Sequence, residues 1–215
     1  MVAPRYRPPG FWASIRITDA VSAPEHIGMR IIRAESVKLT PWPNGLGLTR
    51  QILSYPTARQ PLCQVSLAEI TTDCPFSHFA DIDRTTVPVF GRGLTLDVAG
   101  FGTLVADGTP TPLRYPGDRP TTCRLTDGPM RVLNVMTTRG KASSELTLQR
   151  SKAQLRLDPA DGALLAWCLE GIATIGKGQM LKGNEGVYTD APLVLQGEAT
   201  LIVVRMNTIE KAVSA

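Results

Sequence analysis

From residue 30 onward the chain alternates short apolar runs with turn residues, and the runs have the length of strands. Segments rich in Val, Ile, Leu and Thr occupy residues 30–34, 48–55, 64–71, 85–90, 94–98, 102–107, 121–125 and 130–137. Further runs follow at 145–157, 163–169, 173–176, 186–189, 193–196 and 200–207. Between them stand GRG, DGTPTP, YPGD, TDGP, DPADG, GKG and KGNEG, in which Gly, Pro, Asn and Asp supply the dihedrals of tight turns. No stretch keeps a 3.6-residue apolar stripe for three turns. The pattern therefore predicts an all-β protein, a sandwich or barrel.

The order of turns repeats. Residues 93–137 and 163–207 share a sequence of strand, Gly, strand, turn, strand, Gly turn and a final strand near Met136 or Met206. Two similar β units in one chain predict a duplicated jelly roll, the architecture of a two-cupin protein. The units are expected at residues 29–140 and 141–215. Pro4, Pro8, Pro9, Gly10 and Pro24 break every candidate element before them. Residues 1–28 accordingly read as a flexible N-terminal extension, with Met29 as an alternative start.

Composition narrows the chemistry. The 215 residues suffice to bury a core without staples, and the charged fraction of 20% is that of a folded protein. The net charge of +4 comes from Lys and Arg scattered in runs of two at most, so no nucleic-acid footprint is formed. The longest strongly apolar stretch, residues 163–169, is far too short for a membrane span, and prolines and arginines interrupt any N-terminal signal. Cys63, Cys74, Cys123 and Cys168 show no C-x-x-C pair and read as reduced, buried thiols of a cytoplasmic protein.

With two histidines, His26 and His78, the chain cannot build the multi-histidine metal site of many cupins, and no metal or other cofactor is expected. There is no G-x-S-x-G, and Gly45-Leu46-Gly47 is not continued into a dinucleotide fingerprint. Whatever chemistry occurs must use carboxylates, arginines or hydroxyls.

Three segments hold polar residues in apolar company: 41–53, with Trp42, Asn44 and Arg50; 65–84, with Ser66, Glu69, Asp83 and Arg84; and 115–136, with Asn134 on the strand face of Met130, Val132 and Met136. Each residue also has a structural reading. Asn44 in P-N-G suits a turn, Asp81 and Asp83 suit a turn cap, and Arg84 suits a buried partner of Asp83 or Glu69. Together, Arg, Asn, Glu and Trp suit a small carboxylate or amide: Arg provides a bidentate fork, Asn reads an amide or formyl group, and Trp closes a wall. Ser66 and Glu69 fall on opposite faces of a regular strand, so both reach one pocket only across a bulge.

PWPNGLGLTRQI, VSLAEITTDCPFSHFADIDR and PGDRPTTCRLTDGPMRVLNVM, in this order over residues 42–140, resemble three motifs of the HutD/Ves family. The resemblance implies a metal-free two-cupin fold and an association with histidine utilisation or stress response. It also implies a small-metabolite pocket using Trp42, Asn44, Ser66, Glu69, Asp83, Arg84 and Asn134. Pro43, Leu46, Gln51, Cys74 and Val132 depart from the family pattern, which has Lys, Gly, Glu, Gly and Asp there. The expected function is binding of a small carboxylate, a formylated amino acid or related histidine-pathway intermediate, with a regulatory role in catabolism or stress. Partners other than this ligand are not implied, and a homodimer is left open. The alternatives are a metal-independent isomerase or hydrolase using Glu69 or Asp83 as acid or base, and a purely structural or protein-interaction module.

Overall fold

A computed structural model of the chain describes residues 28–42, 44–56 and 61–209. Residues 1–27 of the predicted extension, His26 among them, lie outside the described residues, as does Pro43. The first half holds β1 (Arg30–Arg33), β2 (Leu39–Pro41), β3 (Gly47–Tyr55), β4 (Cys63–Ile70), β5 (Cys74–Phe76), β6 (Ile82–Phe90), β7 (Leu94–Val98), β8 (Gly102–Ala106), β9 (Leu113–Pro116), β10 (Thr121–Leu125) and β11 (Met130–Thr138). The second half holds β12 (Ala142–Ser151), β13 (Gln154–Leu157), β14 (Ala163–Ile175), β15 (Gln179–Lys182), β16 (Glu185–Thr189) and β17 (Leu193–Thr208). A 3-10 turn at Ala34–Ser36 is the sole helical element among the described residues, and no helix there is long and apolar enough to cross a membrane.

Three antiparallel sheets result. A four-stranded sheet, β5-β10-β7-β8, faces a six-stranded sheet, β2-β3-β4-β11-β6-β9, and a seven-stranded sheet has the backbone β1-β16-β14-β17-β12 with β13 on β17 and β15 on β14. β1 joins the second unit, pairing with β16 in the register Arg30 to Tyr188 through Arg33 to Glu185. The two units thus share chain as well as a core.

The apolar runs are continuous where both faces of a strand are buried. Along β14, Ala163, Leu165 and Trp167 enter the core between the units, while Leu164, Ala166 and Cys168 enter the second unit's interior. β17 repeats this with Ile202 and Val204 against Leu201 and Val203. The second interior is closed by aliphatic side chains, Leu157, Ile175, Leu181, Val187, Leu193 and Leu195 among them. Each such Leu, Ile or Val contributes about 1.5–3 kcal/mol by its burial. That unit is packed full with apolar material.

Two predicted breaks are absent. Residues 163–169 and 173–176 form the single strand β14, and 193–196 and 200–207 form β17. The glycines that suggested turns instead lie within strands: the register of β14 on β17 slips between Cys168 and Glu170, next to Gly171 at φ +84°. Conversely, the predicted run 145–157 is two strands, β12 and β13. Four strands escape the apolar pattern, namely β2, β5, β9 and β15; each has a single partner strand, and three contain Pro. Edge strands tolerate proline and need only one apolar face.

Candidate functional site

Directly opposed residues of antiparallel strands share a face. Across β4, β11 and β6 the register opposes Ser66 to Asn134 and Asn134 to Thr86. One step along, Gln64 opposes Met136, Met136 opposes Arg84, and Arg84 opposes Tyr115 on β9. Beyond the Ser66 row, Ala68 opposes Val132 and Val132 opposes Pro88. Ala68, Val132 and Tyr115 belong to the core between the four- and six-stranded sheets. These rows therefore line the first unit's interior, which holds the polar row of Ser66, Asn134 and Thr86 and the cation Arg84. The second interior is mostly aliphatic, and its buried acid, Glu185, is satisfied by Arg33 and the Lys182 N–H.

The polar row is wired in one direction. Thr86 Oγ1 donates to Asn134 Oδ1 at 2.7 Å, so the 3.0 Å contact between Thr86 Oγ1 and the Tyr115 hydroxyl is completed by the Tyr115 proton. Burial holds the Tyr115 phenol above its usual range, against the opposing pull of the Arg84 charge. Ser66 and Asn134 are 3% and 5% exposed.

Arg84 is 6% exposed. Its guanidinium carbon lies 5.0 Å from the centre of the Phe76 ring, 5.6 Å from Phe79 and 5.3 Å from Tyr115. One Nη donates to the Ser77 carbonyl at a long 3.3 Å, and Nε is buried without a hydrogen-bond partner. Among the described residues no carboxylate pairs with it. A buried cation facing three aromatic rings and no anion is incompletely compensated: desolvation costs several kcal/mol, and each cation–π contact returns about 0.5–2.

The two acids expected to hold Arg84 do not. Asp83 is the next residue on β6 and so points to the opposite face, where its Oδ1 accepts from Arg139 at 2.8 Å. Glu69 faces away from the interior, with Arg50 at 3.5 Å; the parity of β4 that puts Ser66 inside puts Glu69 outside. Trp42 lies at the edge of the interior. Its Nε1 donates to Thr49 Oγ1 at 2.8 Å, and its ring meets Phe76 edge-on at 5.9 Å. Asn44 is exposed, and its side chain accepts from Leu46 N at 3.1 Å, a turn contact. The interior thus collects Ser66, Arg84 and Asn134 with Trp42 at its rim, and leaves out Asn44, Glu69 and Asp83.

Thr86 and Tyr115 were not singled out from the sequence. Alternation along β6 puts Thr86 on the face of Arg84, which was a usable signal; Tyr115, on an edge strand beside Pro116, gave none. Arg139 is a third omission. It bridges Asp83 and Asp118, each at 2.8 Å, and ties the start of β6 to the loop after β9. In that loop a Cβ on Gly117 would meet Arg84 Cγ at 3.0 Å and Cδ at 3.1 Å, so glycine leaves space for the arginine stem.

An open cleft of about 500 Å³ lies on the outer side of the four-stranded sheet, lined by Asp97, Phe101, Thr103, Pro120 and Thr122. Its one acid is already bound, to Arg124 at 2.6 Å and Thr103 at 2.8 Å. A partly enclosed cavity of about 10 Å³ adjoins the Arg84 row between Gln64, Phe79, Ile82 and Met136, and has room for about one water. Arg84, Ser66, Thr86 and Asn134 line neither cavity. Chemistry still points to their row, where polar groups converge around a cation that no acid among the described residues pairs.

A family model described as HutD matches residues 34–208. The chain belongs to the HutD family. Protein Ves of Cronobacter sakazakii (strain ATCC BAA-894) is 27% identical over 119 residues, 55% of this chain and 65% of that protein. Among solved structures, HutD from Pseudomonas fluorescens SBW25, determined in a formate condition, superposes with a TM-score of 0.72 at 22% identity, covering 85% of this chain and all of that one. A cupin 2 conserved barrel domain protein from Leptotrichia buccalis gives 0.56 at 14% identity, over 86% and 98% of the two chains. These likenesses make the fold of this HutD-family chain a pair of cupin barrels, and the Arg84 site lies within the first.

Proposed function

We propose that this protein binds a small carboxylate metabolite in the first cupin, with Arg84 as the anchor. The observation that carries the reading is the guanidinium itself, 6% exposed, its Nε unpartnered, and without an acidic partner among the described residues. A carboxylate would supply the missing charge and accept a bidentate pair of hydrogen bonds. Asn134 and Thr86, one step along the sheet, suit a second polar group such as an amide or formyl, which is why a formylated amino acid heads the list of candidates. HutD of Pseudomonas fluorescens, solved in a formate condition, agrees with that choice of probe. The exposed segment 77–81, with Asp81 at φ +57°, is the wall that must shift to admit anything larger than water.

Catalysis by Glu69 or Asp83 is not favoured, because both carboxylates lie off the interior and each faces an arginine. The protein is accordingly read as a binder whose ligand sets its activity toward a pathway of amino-acid catabolism or stress. The test is thermal unfolding against formate, N-formyl amino acids, histidine-pathway acids and plain dicarboxylates, with Arg84→Met in parallel. A ligand at about 100 times its Kd adds about 2.7 kcal/mol, several degrees of midpoint for a chain of this size. We expect one class of carboxylate to shift the parent and none to shift Arg84→Met, whose ligand-free midpoint stays within a few degrees of the parent. Equal shifts in parent and variant would refute the anchor.

A further inference from the structure

Cys74 on β5 stands directly opposite Cys123 on β10. Leu125 N–H reaches past the end of β5 to Asp73 Oδ1 at 2.8 Å, while Thr126 N–H turns the other way to the Gly93 carbonyl at 3.0 Å. Amide directions alternate along a strand, so Cys123 N–H also faces β5 and the two cysteines form a hydrogen-bonded pair. Such pairs place Cα atoms about 5.5 Å apart, inside the range of about 4.4–6.8 Å that a disulfide spans. Their Cβ atoms, however, are also about 5.5 Å apart, against the about 3.5–4.5 Å of a relaxed bond. β5 must therefore shift toward β10, and the bond formed is strained and readily reduced. Both side chains enter the same core and are 2% and 0% exposed. Cys63 and Cys168 lie in two other cores, so no other pair of the four free thiols shares one.

We propose that Cys74 and Cys123 are a redox modification site, forming a reversible cross-strand disulfide that latches β5 to β10. Burial pushes the Cys123 thiol up to about 12 and raises that of Cys74, so little thiolate exists while β5 is seated. β5 is a three-residue edge strand with one neighbour, and its local opening exposes the pair. With hydrogen peroxide as oxidant, one sulfur attacks a peroxide oxygen to give a sulfenic acid and water; the second sulfur then displaces the hydroxyl as a second water. One S–S bond forms, both thiol protons leave, and peroxide takes the two electrons. Phe76, the last residue of β5, packs 5.0 Å from Arg84. The latch therefore also fixes one wall of the Arg84 site, a consequence that rests on the carboxylate reading above.

The test oxidises the reduced full chain with hydrogen peroxide, unfolds it, alkylates free thiols and maps a non-reduced digest by mass. We expect two alkylated cysteines, Cys63 and Cys168, a Cys74–Cys123 peptide, a mass two hydrogens lower before alkylation, and four alkylated thiols again after dithiol reduction. Cys74→Ser should give no intramolecular link, and the oxidised parent should unfold at a higher midpoint than the reduced one. Four alkylated thiols after oxidation, a link through Cys63 or Cys168, or sulfinic acid in place of the link would overturn the proposal. None of these readouts needs a ligand, so a chain that binds no carboxylate can still form the latch. A formate affinity equal in oxidised and reduced protein would overturn its coupling to Arg84.

Discussion

Thr86 is the residue on which the polar row depends. It is fully buried, donates to Asn134 and accepts from Tyr115. Thr86→Val keeps the shape and removes the hydroxyl, which leaves the Tyr115 proton and the Asn134 oxygen buried and unpaired. Such a loss costs about 1–3 kcal/mol. We expect denaturant unfolding to show it, with Thr86→Ser recovering most of the difference; a change under about 0.5 kcal/mol would mean that water or a rearrangement satisfies both partners. Arg84 was legible in the sequence as a charge in apolar company, and Asn134 by its parity with Met130 and Val132. What could not be read was the partnership. Asp83 adjoins Arg84 in sequence and for that reason lies on the other face, while the rings that cover Arg84 come from β5, the 77–81 segment and β9, which no local spacing connects.

At the scale of elements, the start of β6 is held by Arg139 against Asp83 and Asp118, outside the barrel from Arg84. The hydrogen bonds from Arg139, reinforced by its charge, hold the Asp118 carboxyl below its usual range. A carboxyl whose folded-state pKa is depressed stabilises the fold above its unfolded value, and that contribution is lost as pH falls through the folded value. We expect Asp118 to titrate below an ordinary aspartate by carboxyl NMR in the parent and to return to the ordinary range in Arg139→Gln. A depressed titration in both would assign the effect to something other than this arginine. The long strands teach a related lesson. Gly171 and Gly197, at φ +84° and +119°, read as turns because glycine is the usual turn residue. In the fold each bends a strand that continues, since the apolar residues on both sides of it are buried in the second unit's interior.

Over the whole molecule, the two barrels differ in what fills them. The second is closed mainly by aliphatic side chains and pairs its buried Glu185 with Arg33, while the first spends interior space on Arg84, Thr86, Asn134 and Ser66 and gives Arg84 no acid among the described residues. The all-β class and the doubled unit were both visible in the turn order, because turn chemistry is local. The joining of β1 to the second sheet was not, since strand pairing at such separation leaves no trace in the spacing of residues 30–33. A fold needs only one packed interior of either kind. The asymmetry is the signature of a site, and it points to the first barrel rather than to the wider cleft beside Phe101.

That assignment is tested most directly by where the simplest carboxylate sits. With carbon-13 formate and the ring protons assigned, we expect intermolecular NOEs from the formyl proton to Phe76, Phe79 and Tyr115, abolished in Arg84→Met. NOEs to Phe101 instead, or contacts to the three rings that survive the loss of the guanidinium, would contradict the account.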